Sequence, residues 1–289
     1  INRCLVGSEM CIRDSRSNAQ SRALEEALLR VSIPYRIYGG LRFYERLEIK
    51  NAIAYLKIIF NNKDNPSFER SISNPTRGVG EKTLGKIRQA AKKFNISYIK
   101  ASAKLIDEGS IGGRGGAGLK DYLEFIIGCK QFIEDNTLSE LMELIIKESG
   151  LYAYHAKEAG EKGKTRTENL EELITATKNF EQSIKDEKTN AEIAESYLDV
   201  ISLDSGDRQA SEHDDAAQLM TMHSAKGLEF KLVLLTGLEE SLFPHGRSME
   251  SASQLEEERR LCYVAITRAM EKLYITCLLY TSPSPRDTG

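Results

Sequence analysis

The sequence predicts an α/β fold in which a parallel β-sheet is built from two separate parts of the chain, with an all-helical section between them. Short, continuously apolar runs near both ends, such as 232–235, are typical of strands that are buried on both faces. The long middle section instead shows the apolar spacing of helices. Strand-rich ends separated by a helical section indicate a sheet domain with a helical domain inserted into it.

Length and composition fit a globular protein with room for two domains. The 289 residues are 40% hydrophobic and 29% charged, and no apolar run is long enough to span a bilayer, so we expect a cytoplasmic protein without a membrane partner. The net charge of −3 argues mildly against a dedicated nucleic-acid binder, although a narrow basic groove can coexist with an acidic remainder. The five cysteines lack pair spacing, which indicates neither a zinc site nor a disulfide framework.

Both ends of the chain are expected to lie outside the fold. Residues 1–15 (INRCLVGSEMCIRDS) and 278–289 (LLYTSPSPRDTG) resemble translated sequencing-adapter sequence, and a genuine terminal tail is the alternative for each. We assign no function to either segment. The strand that should precede Arg16 is expected to be replaced by the first of them.

The first sheet segment begins with a loop, a helix and a strand. Ser21–Arg30 has helical apolar spacing, a proline ends it, and Tyr35–Tyr38 follows as a short strand. The broad apolar face of Glu45–Phe60 predicts a helix packed on the core. The loop 16–20, which includes Arg16, precedes the first helix, so its backbone and the amide of Asn18 are well placed to hold a phosphate; a plain helix cap is the alternative for Asn18.

A glycine hairpin is predicted beyond the polar break NNKDNP at 61–66. In PTRGVGEK, Gly78 and Gly80 precede a helix and expose successive backbone amides, which can bind a phosphate of duplex DNA without reading bases. Thr76 and Arg77 precede the first glycine, and Arg77 adds positive charge. A structural turn is the alternative, since a single G-x-G is a weak signal.

The helical middle section carries no clear chemistry. Amphipathic spacing predicts helices at 119–132, 138–149 and 170–180. The glycine-rich stretch 109–118 is predicted to be a flexible loop. Gly163-Lys164-Thr165 resembles the end of a phosphate-binding P-loop, but Glu158 stands where that motif requires glycine. We therefore predict a solvated turn there, capped by Thr167 or Asn169 before the next helix.

The strongest candidate site is the stretch QLMTMHSAKGLEF at 218–230, which follows a polar linker at 203–215. It predicts a strand, a polar loop and a second strand, and in open parallel sheets ligands bind at the carboxyl ends of strands. Lys226 beside Gly227 can place a charge on a phosphate, and the carboxylate of Glu229 can accept from a ribose hydroxyl. A solvated turn is the alternative, because one lysine-glycine pair is a weak motif.

A helix is predicted at Glu256–Met270, which contains no glycine or proline and opens with carboxylates. Arg268 stands near its end and precedes a closing strand at Lys272–Cys277. An arginine in this position can reach the phosphate of a nucleotide held by a neighbouring domain, the role called an arginine finger. Compensation of the helix dipole is the alternative.

The runs HSAKGLEF and EEERRLCYVAITRA together resemble motifs V and VI of superfamily 1 DNA helicases of the UvrD, PcrA and Rep family. The resemblance extends over roughly Arg16 to Cys277 and covers only the carboxyl half of such enzymes. It implies a RecA-like motor domain in two pieces, 16–70 and 214–277, interrupted by an inserted helical domain at 71–213.

The resemblance also implies roles for individual residues. Arg268 would stabilise charge that develops on the γ-phosphate of ATP, Lys226 and Gly227 would support it, and Glu229 would bind the ribose. The expected DNA contacts come from Arg16, Asn18, His223, His245, Thr76, Arg77, Gly78 and Gly80. Mg²⁺ would be held mainly by a first motor domain that this chain lacks.

The function implied by this resemblance is that of an ATP-dependent 3′–5′ DNA helicase and translocase in DNA repair and replication, in the bacterial cytoplasm. The expected partners are single-stranded DNA, junctions between single and double strands, the first RecA-like domain and repair proteins. The P-loop lysine and the magnesium-binding carboxylates are missing, so the isolated chain is expected to be inactive. The alternative is a non-enzymatic module that binds duplex DNA or repair proteins.

Overall fold

The computed structural model describes residues 10–14, 21–38, 41–184, 188–204, 216–222, 224–238, 243–244 and 251–276. The chain forms two compact units, which we call the sheet unit and the helical unit. The sheet unit combines Ile1–Arg42 with Gly206–Gly289, and the helical unit is Phe43–Ser205. Along the chain, the helical unit therefore lies between the two segments of the sheet unit.

The two units contain the strands and helices given next, with their bounds. In chain order they are β1 (Met10–Asp14), α1 (Ser21–Arg30), β2 (Tyr35–Ile37), a 3-10 turn (Phe43–Glu45), α2 (Leu47–Phe60), α3 (Asn65–Ser73), α4 (Glu81–Phe94), α5 (Tyr98–Asp107), α6 (Gly113–Asp135), α7 (Leu138–Glu148), α8 (Leu151–Ala156), α9 (Glu161–Ser183), α10 (Asn190–Asp204), β3 (Ala217–Thr221), β4 (Phe230–Leu235), α11 (Ala252–Ile266) and β5 (Ala269–Ile275). The predicted α/β class is confirmed.

The strands of the sheet unit form one parallel sheet in the order β2-β3-β1-β4-β5. Successive residues of a strand point to opposite faces, and Leu219 and Met220 of β3 accordingly belong to two different apolar clusters. Leu28 of α1 packs in the cluster of Leu219, whereas Ala265 of α11 packs in the cluster of Met220. Apolar clusters thus lie on both faces of the sheet at β3 and β4, which explains why these strands read as apolar runs, whereas most residues of β5 are exposed.

The first strand lies where no strand was expected. The backbone of Met10–Asp14 pairs with β3 on one side and with β4 on the other, so it forms the centre of the sheet. The prediction that residues 1–15 stand outside the fold is therefore wrong for this segment. Strand pairing uses backbone N–H and C=O groups, which any non-proline sequence supplies. The remainder of 1–15, and all of 278–289, lie outside the described residues.

The boundary between the units differs from the predicted one. The contact boundary lies between Arg42 and Phe43, whereas the sequence placed it at residues 70 and 71. The reason is the packing of α2, whose residues Ile49 and Leu56 are fully buried in the single core of the helical unit. Phe68 of α3 lies in the same core. A strongly apolar helix predicts burial, but it does not specify the unit in which the helix is buried.

Capping side chains account for where several helices begin. The side chain of Asp64 accepts a hydrogen bond from the backbone N–H of Ser67 at 3.0 Å, which fixes the start of α3. Thr137 and Glu140 form a capping box at the start of α7. At the other end of α4, Asn95 adopts a left-handed conformation with φ 51°, a common way to stop a helix.

Two segments that were predicted to be loops are helical. The prediction of a flexible loop at 109–118 is wrong from Gly113 onward, because α6 begins there. The predicted turn at Gly163-Lys164-Thr165 lies inside α9, and Asn169 is not a cap. The Asn169 side chain is buried, donates to Glu48 Oε1 at 2.6 Å and accepts from Arg46 Nη1 at 2.9 Å. These buried bonds tie α9 to α2.

None of the helices in the described parts of the chain is long and apolar enough to cross a membrane.

Candidate functional site

The polar loop after β3 is built around a tight turn. The N–H of Leu228 donates to the carbonyl of Ala225 at 3.1 Å, and Gly227 at the third position has φ +86°. A type II turn requires a positive φ at this position, which favours glycine. Ala225 is fully buried and anchors the turn, so Lys226 occupies its exposed corner. The sequence Ala-Lys-Gly-Leu therefore presents one ammonium group to solvent on a rigid backbone.

Arg268 lies directly against this loop. It follows Thr267, which caps α11, and its guanidinium is half-buried. Nη1 donates to the carbonyl of Leu228 at 3.3 Å, Nε donates to the carbonyl of Val264 at 3.1 Å, and Nη2 donates to Thr267 Oγ1 at 3.1 Å. The two sequence motifs are thus joined by a hydrogen bond to the residue between Gly227 and Glu229.

The site lies at a different edge of the sheet from the one expected. Glu229 and Arg268 immediately precede β4 and β5, and the first residues of these parallel strands, Phe230 and Ala269, are register partners. The loop leaves the carboxyl end of β3 and crosses to the amino end of β4. The prediction of a site at the carboxyl ends is therefore wrong for Glu229, whereas Arg268 was predicted only to lie near the end of a helix.

The chemistry of this edge fits a nucleotide. Lys226 and Glu229 are both exposed, so a cation and an anion flank the glycine of the turn. A guanidinium has five N–H donors, and the three bonds to described residues leave two that could donate to an added phosphate. No cluster of His, Cys, Asp or Glu that could hold a metal ion occurs among the residues that the structure describes. The cationic and anionic groups at this edge suit phosphate and ribose.

The glycine hairpin, residues 76–80, lies in the helical unit. Thr76, Gly78 and Gly80 are exposed, and Gly78 has φ +74°. Gly80 is the N-cap of α4, and its carbonyl accepts from the N–H groups of Thr83 and Leu84 at 2.9 and 3.0 Å. An added Cβ at Gly80 would meet nothing within 4 Å, so this side of the hairpin is open. The expected exposure of the glycine backbone agrees with this geometry.

Arg77 points inward rather than toward a ligand. Its Nη1 donates to the Tyr55 hydroxyl at 2.6 Å, and its Nη2 donates to the carbonyl of Ser149 at 2.8 Å. The guanidinium carbon also lies 5.6 Å from the Tyr55 ring centroid and 5.5 Å from that of Tyr122. The structure therefore does not support a direct phosphate contact by this side chain. Positive charge in the sequence does not reveal that a guanidinium is held by buried partners.

Sequence reasoning missed the partners of Arg77. Tyr55 and Tyr122 are fully buried, and their hydroxyls bond to Ser71: Tyr55 donates to its carbonyl at 2.6 Å, and Tyr122 lies 2.6 Å from its Oγ. The available signal was a tyrosine on the apolar face of a helix, because a buried phenol needs a hydrogen-bond partner. That signal indicates that a partner exists without identifying Arg77.

The other predicted DNA-binding residues cannot be placed. Arg16, Asn18, His223 and His245 lie outside the described residues. Their predicted roles stay predictions. The described candidate residues thus fall into two separate groups: the loop and Arg268 in the sheet unit, and the hairpin in the helical unit.

Alkaline pH is expected to weaken the helical unit through Tyr55. Burial raises the pKa of Tyr55 from 10.0 to about 12, against the opposing effect of Arg77. Because the folded protein holds this proton more tightly, the stabilisation is complete below pH 10 and is lost as the pH rises toward 12. The free energy of unfolding, measured with urea across this range, should fall less in Tyr55→Phe than in the wild type. Equal losses in the two proteins would contradict this expectation.

Comparison with known proteins assigns the chain to a family. The model of the family described as "UvrD-like helicase C-terminal domain" matches residues 13–109 and 123–280. DNA helicase II of Escherichia coli is 47% identical over 261 residues, which cover 90% of this chain and 36% of that protein. DNA helicase II of Haemophilus influenzae is also 47% identical over 261 residues, with the same coverage of both chains.

The ATP-dependent DNA helicase PcrA of Bacillus subtilis is 39% identical over 263 residues, which cover 90% of this chain and 35% of that protein. The chain thus spans about a third of the length of these relatives. The match extends across both units and includes the loop at Lys226 and the helix that ends before Arg268. The chain belongs to the UvrD-like helicase C-terminal domain family.

Proposed function

We propose that this chain is the carboxyl-terminal part of an ATP-dependent DNA helicase that moves 3′ to 5′ along single-stranded DNA and separates duplex DNA during repair and replication. The observation that carries the proposal is the hydrogen bond between Arg268 and the carbonyl of Leu228, which joins the two motifs at one edge of the sheet. The family and the names of the helicase relatives support it.

In this proposal the sheet unit is the second RecA-like motor domain. The motor comprises 16–70 and 214–277 by sequence resemblance, with 71–213 as the inserted helical domain. The contact boundary supports a larger insert, Phe43–Ser205, because α2 and α3 share the core of the helical unit. The parallel sheet covered on both faces supports the motor assignment.

Three residues would act on the nucleotide. ATP supplies the phosphoanhydride bond whose cleavage drives movement. The guanidinium of Arg268 would donate its remaining N–H groups to γ-phosphate oxygens and so stabilise the charge that develops there. Lys226, on the corner shaped by Gly227, would add a second positive charge, and Glu229 would accept a hydrogen bond from the ribose. The P-loop and the carboxylates that hold Mg²⁺ would come from the first motor domain.

DNA would contact both units. The exposed backbone of Gly78 and Gly80, together with Thr76, would bind a phosphate of the duplex ahead of a single-strand junction. Arg16, Asn18, His223 and His245 would contact the single strand, as the resemblance implies. Repair proteins are further proposed partners, and the bacterial cytoplasm is the proposed location.

The division of labour between the two motor domains can be tested by phosphate release. The isolated chain is expected to release no phosphate from ATP above background, with or without single-stranded DNA, because it lacks the groups that bind the triphosphate and metal. A chimera in which this chain replaces the matching part of the Escherichia coli relative should show turnover stimulated by DNA. Stimulated turnover by the chain alone would refute the proposal of inactivity. A well-folded chimera that binds duplex DNA without any turnover would instead favour the non-enzymatic module.

A further inference from the structure

The hairpin at 76–80 is held by a set of residues that we call the hairpin anchor: the half-buried Arg77 and the buried Tyr55, Ser71 and Ser149. Arg77 Nη1 also lies 3.3 Å from the carbonyl of Ser71 and 3.2 Å from that of Pro75. With the bonds to Tyr55 and Ser149, one guanidinium connects the hairpin to α2, to α3 and to the end of α7. The rings of Tyr55 and Tyr122 both lie against the guanidinium of Arg77.

The hairpin backbone packs closely against the start of α6, a contact that we call the seat. An ideal Cβ on Gly118 would lie 2.0 Å from the carbonyl oxygen of Arg77, and one on Gly115 would lie 3.1 Å from the carbonyl oxygen of Gly78. A Cβ at Gly118 would require the backbone to move, whereas one at Gly115 would require only a small shift.

The seat determines which way the hairpin amides face. In a trans peptide the C=O and the following N–H point in opposite directions. Because the carbonyls of Arg77 and Gly78 approach α6, the N–H groups of Gly78 and Val79 are directed away from it. Successive amides on one side of a turn form a concavity that suits an anion. The anchor thus fixes the orientation on which phosphate binding would depend.

We propose that Arg77 is a positioning residue for duplex binding, which acts through the hairpin backbone and does not touch DNA itself. This inference rests on the proposed function, because it assumes that the hairpin binds duplex. A lysine at position 77 would keep the positive charge. It would lack the planar guanidinium that donates to the carbonyls of Ser71 and Ser149 and stacks on the tyrosine rings. The two roles of Arg77, positioning and direct contact, therefore predict opposite behaviour of Arg77→Lys.

The test measures binding of the full chain to a labelled DNA duplex and to a labelled oligo(dT) strand by fluorescence anisotropy. Arg77→Lys should weaken duplex binding about tenfold, and Tyr55→Phe about threefold or more, because each loosens the hairpin. Tyr55 is fully buried and cannot reach DNA. The double variant should be no weaker than Arg77→Lys, since both changes act on one bond. Binding to oligo(dT) should stay within about twofold for every variant.

Tyr122→Phe is the matched control. Tyr122 is equally buried and also loses a hydroxyl bond, but its hydroxyl bonds to Ser71 Oγ while only its ring faces Arg77. Duplex binding by Tyr122→Phe should therefore stay within about twofold of the wild type. Melting curves of all variants show whether the helical unit is folded, and the mild tyrosine variants keep the test informative if the arginine variants unfold.

Salt dependence separates positioning from direct contact. A side chain that binds a phosphate contributes roughly one unit to the slope of log K against log salt, so a positioning residue should leave the slope unchanged in Arg77→Ala. The inference is overturned if Arg77→Lys binds duplex like the wild type, if Arg77→Ala lowers the slope, or if the two tyrosine variants behave alike. Each of these results would refute the positioning role of Arg77 but not the proposed helicase function. If the wild type fails to bind duplex DNA, the proposed duplex contact of the hairpin is refuted. The positioning role of Arg77 is then refuted as well.

Discussion

Arg268→Ala in the chimera with the Escherichia coli relative is expected to lower DNA-stimulated ATP turnover by about a thousandfold or more, because an arginine finger contributes at least that much to phosphoryl transfer. DNA affinity without nucleotide should stay within about twofold, since the proposed function assigns this side chain to the nucleotide and not to DNA. Steady-state phosphate release and fluorescence anisotropy measure the two quantities.

Two control variants separate the local role of Arg268 from general loss of charge or of fold. Arg259 lies on the same helix, is exposed and pairs with Glu256 at 2.7 Å, so Arg259→Ala should leave turnover unchanged. Arg268→Lys keeps the positive charge but loses the planar guanidinium with its several N–H donors. Its turnover should therefore exceed that of Arg268→Ala only slightly. Arg268 also bonds to Leu228, so a melting curve must accompany each variant. Turnover by Arg268→Ala that matches Arg259→Ala would overturn the assignment.

Gly118→Ala and Gly128→Ala are expected to change stability in opposite directions, although both replace a glycine within α6. A Cβ at Gly118 would strike the backbone carbonyl of Arg77, and overpacking against a fixed backbone costs about 1–3 kcal/mol or more. A Cβ at Gly128 meets nothing within 4 Å, so alanine there should stabilise the helix by about 0.5–1 kcal/mol. Urea unfolding followed by circular dichroism measures both free energies.

The duplex affinity of these two variants gives a second comparison. Gly118→Ala displaces the hairpin and should weaken duplex binding, whereas Gly128→Ala should leave it unchanged within about twofold. Two variants of equal stability would show that the hairpin is not seated closely on α6. That result would return 109–118 to the flexible loop predicted from the sequence.

The elements with strong local patterns were predictable from the sequence. The strand predicted at Tyr35–Tyr38 is β2 within one residue, and the helix predicted at Ser21–Arg30 is α1. The apolar run at 232–235 lies within β4. Burial on both faces of a sheet and on one face of a helix leaves a signature in the order of apolar residues, so these assignments needed no knowledge of distant contacts.

Features that depend on distant contacts were not predictable. Glycines at 109–118 indicate flexibility when read locally, but in the structure they allow α6 to approach the hairpin. Asn169 is typical of a cap, yet its amide bonds to Glu48 and Arg46, which are far away in the sequence. The unit boundary at Phe43 likewise depends on which core receives α2.

The candidate site was predictable in part for the same reason. Local motifs identified Lys226 and Arg268, and the structure brings the loop and the guanidinium into contact through Leu228. The pairing of β4 with β5, which places Glu229 and Arg268 at one edge, was not predictable from the sequence. Arg77 was interpreted as a cation for DNA because its charge is visible in the sequence, whereas its buried partners are not.

The most direct measurement is a structure of the chimera with a non-hydrolysable ATP analogue and single-stranded DNA. We predict that the guanidinium of Arg268 lies within hydrogen-bond distance of a γ-phosphate oxygen, with the ammonium of Lys226 on the same side of the nucleotide. A nucleotide bound elsewhere, with Arg268 still bonded only to Val264, Leu228 and Thr267, would contradict the proposed motor function.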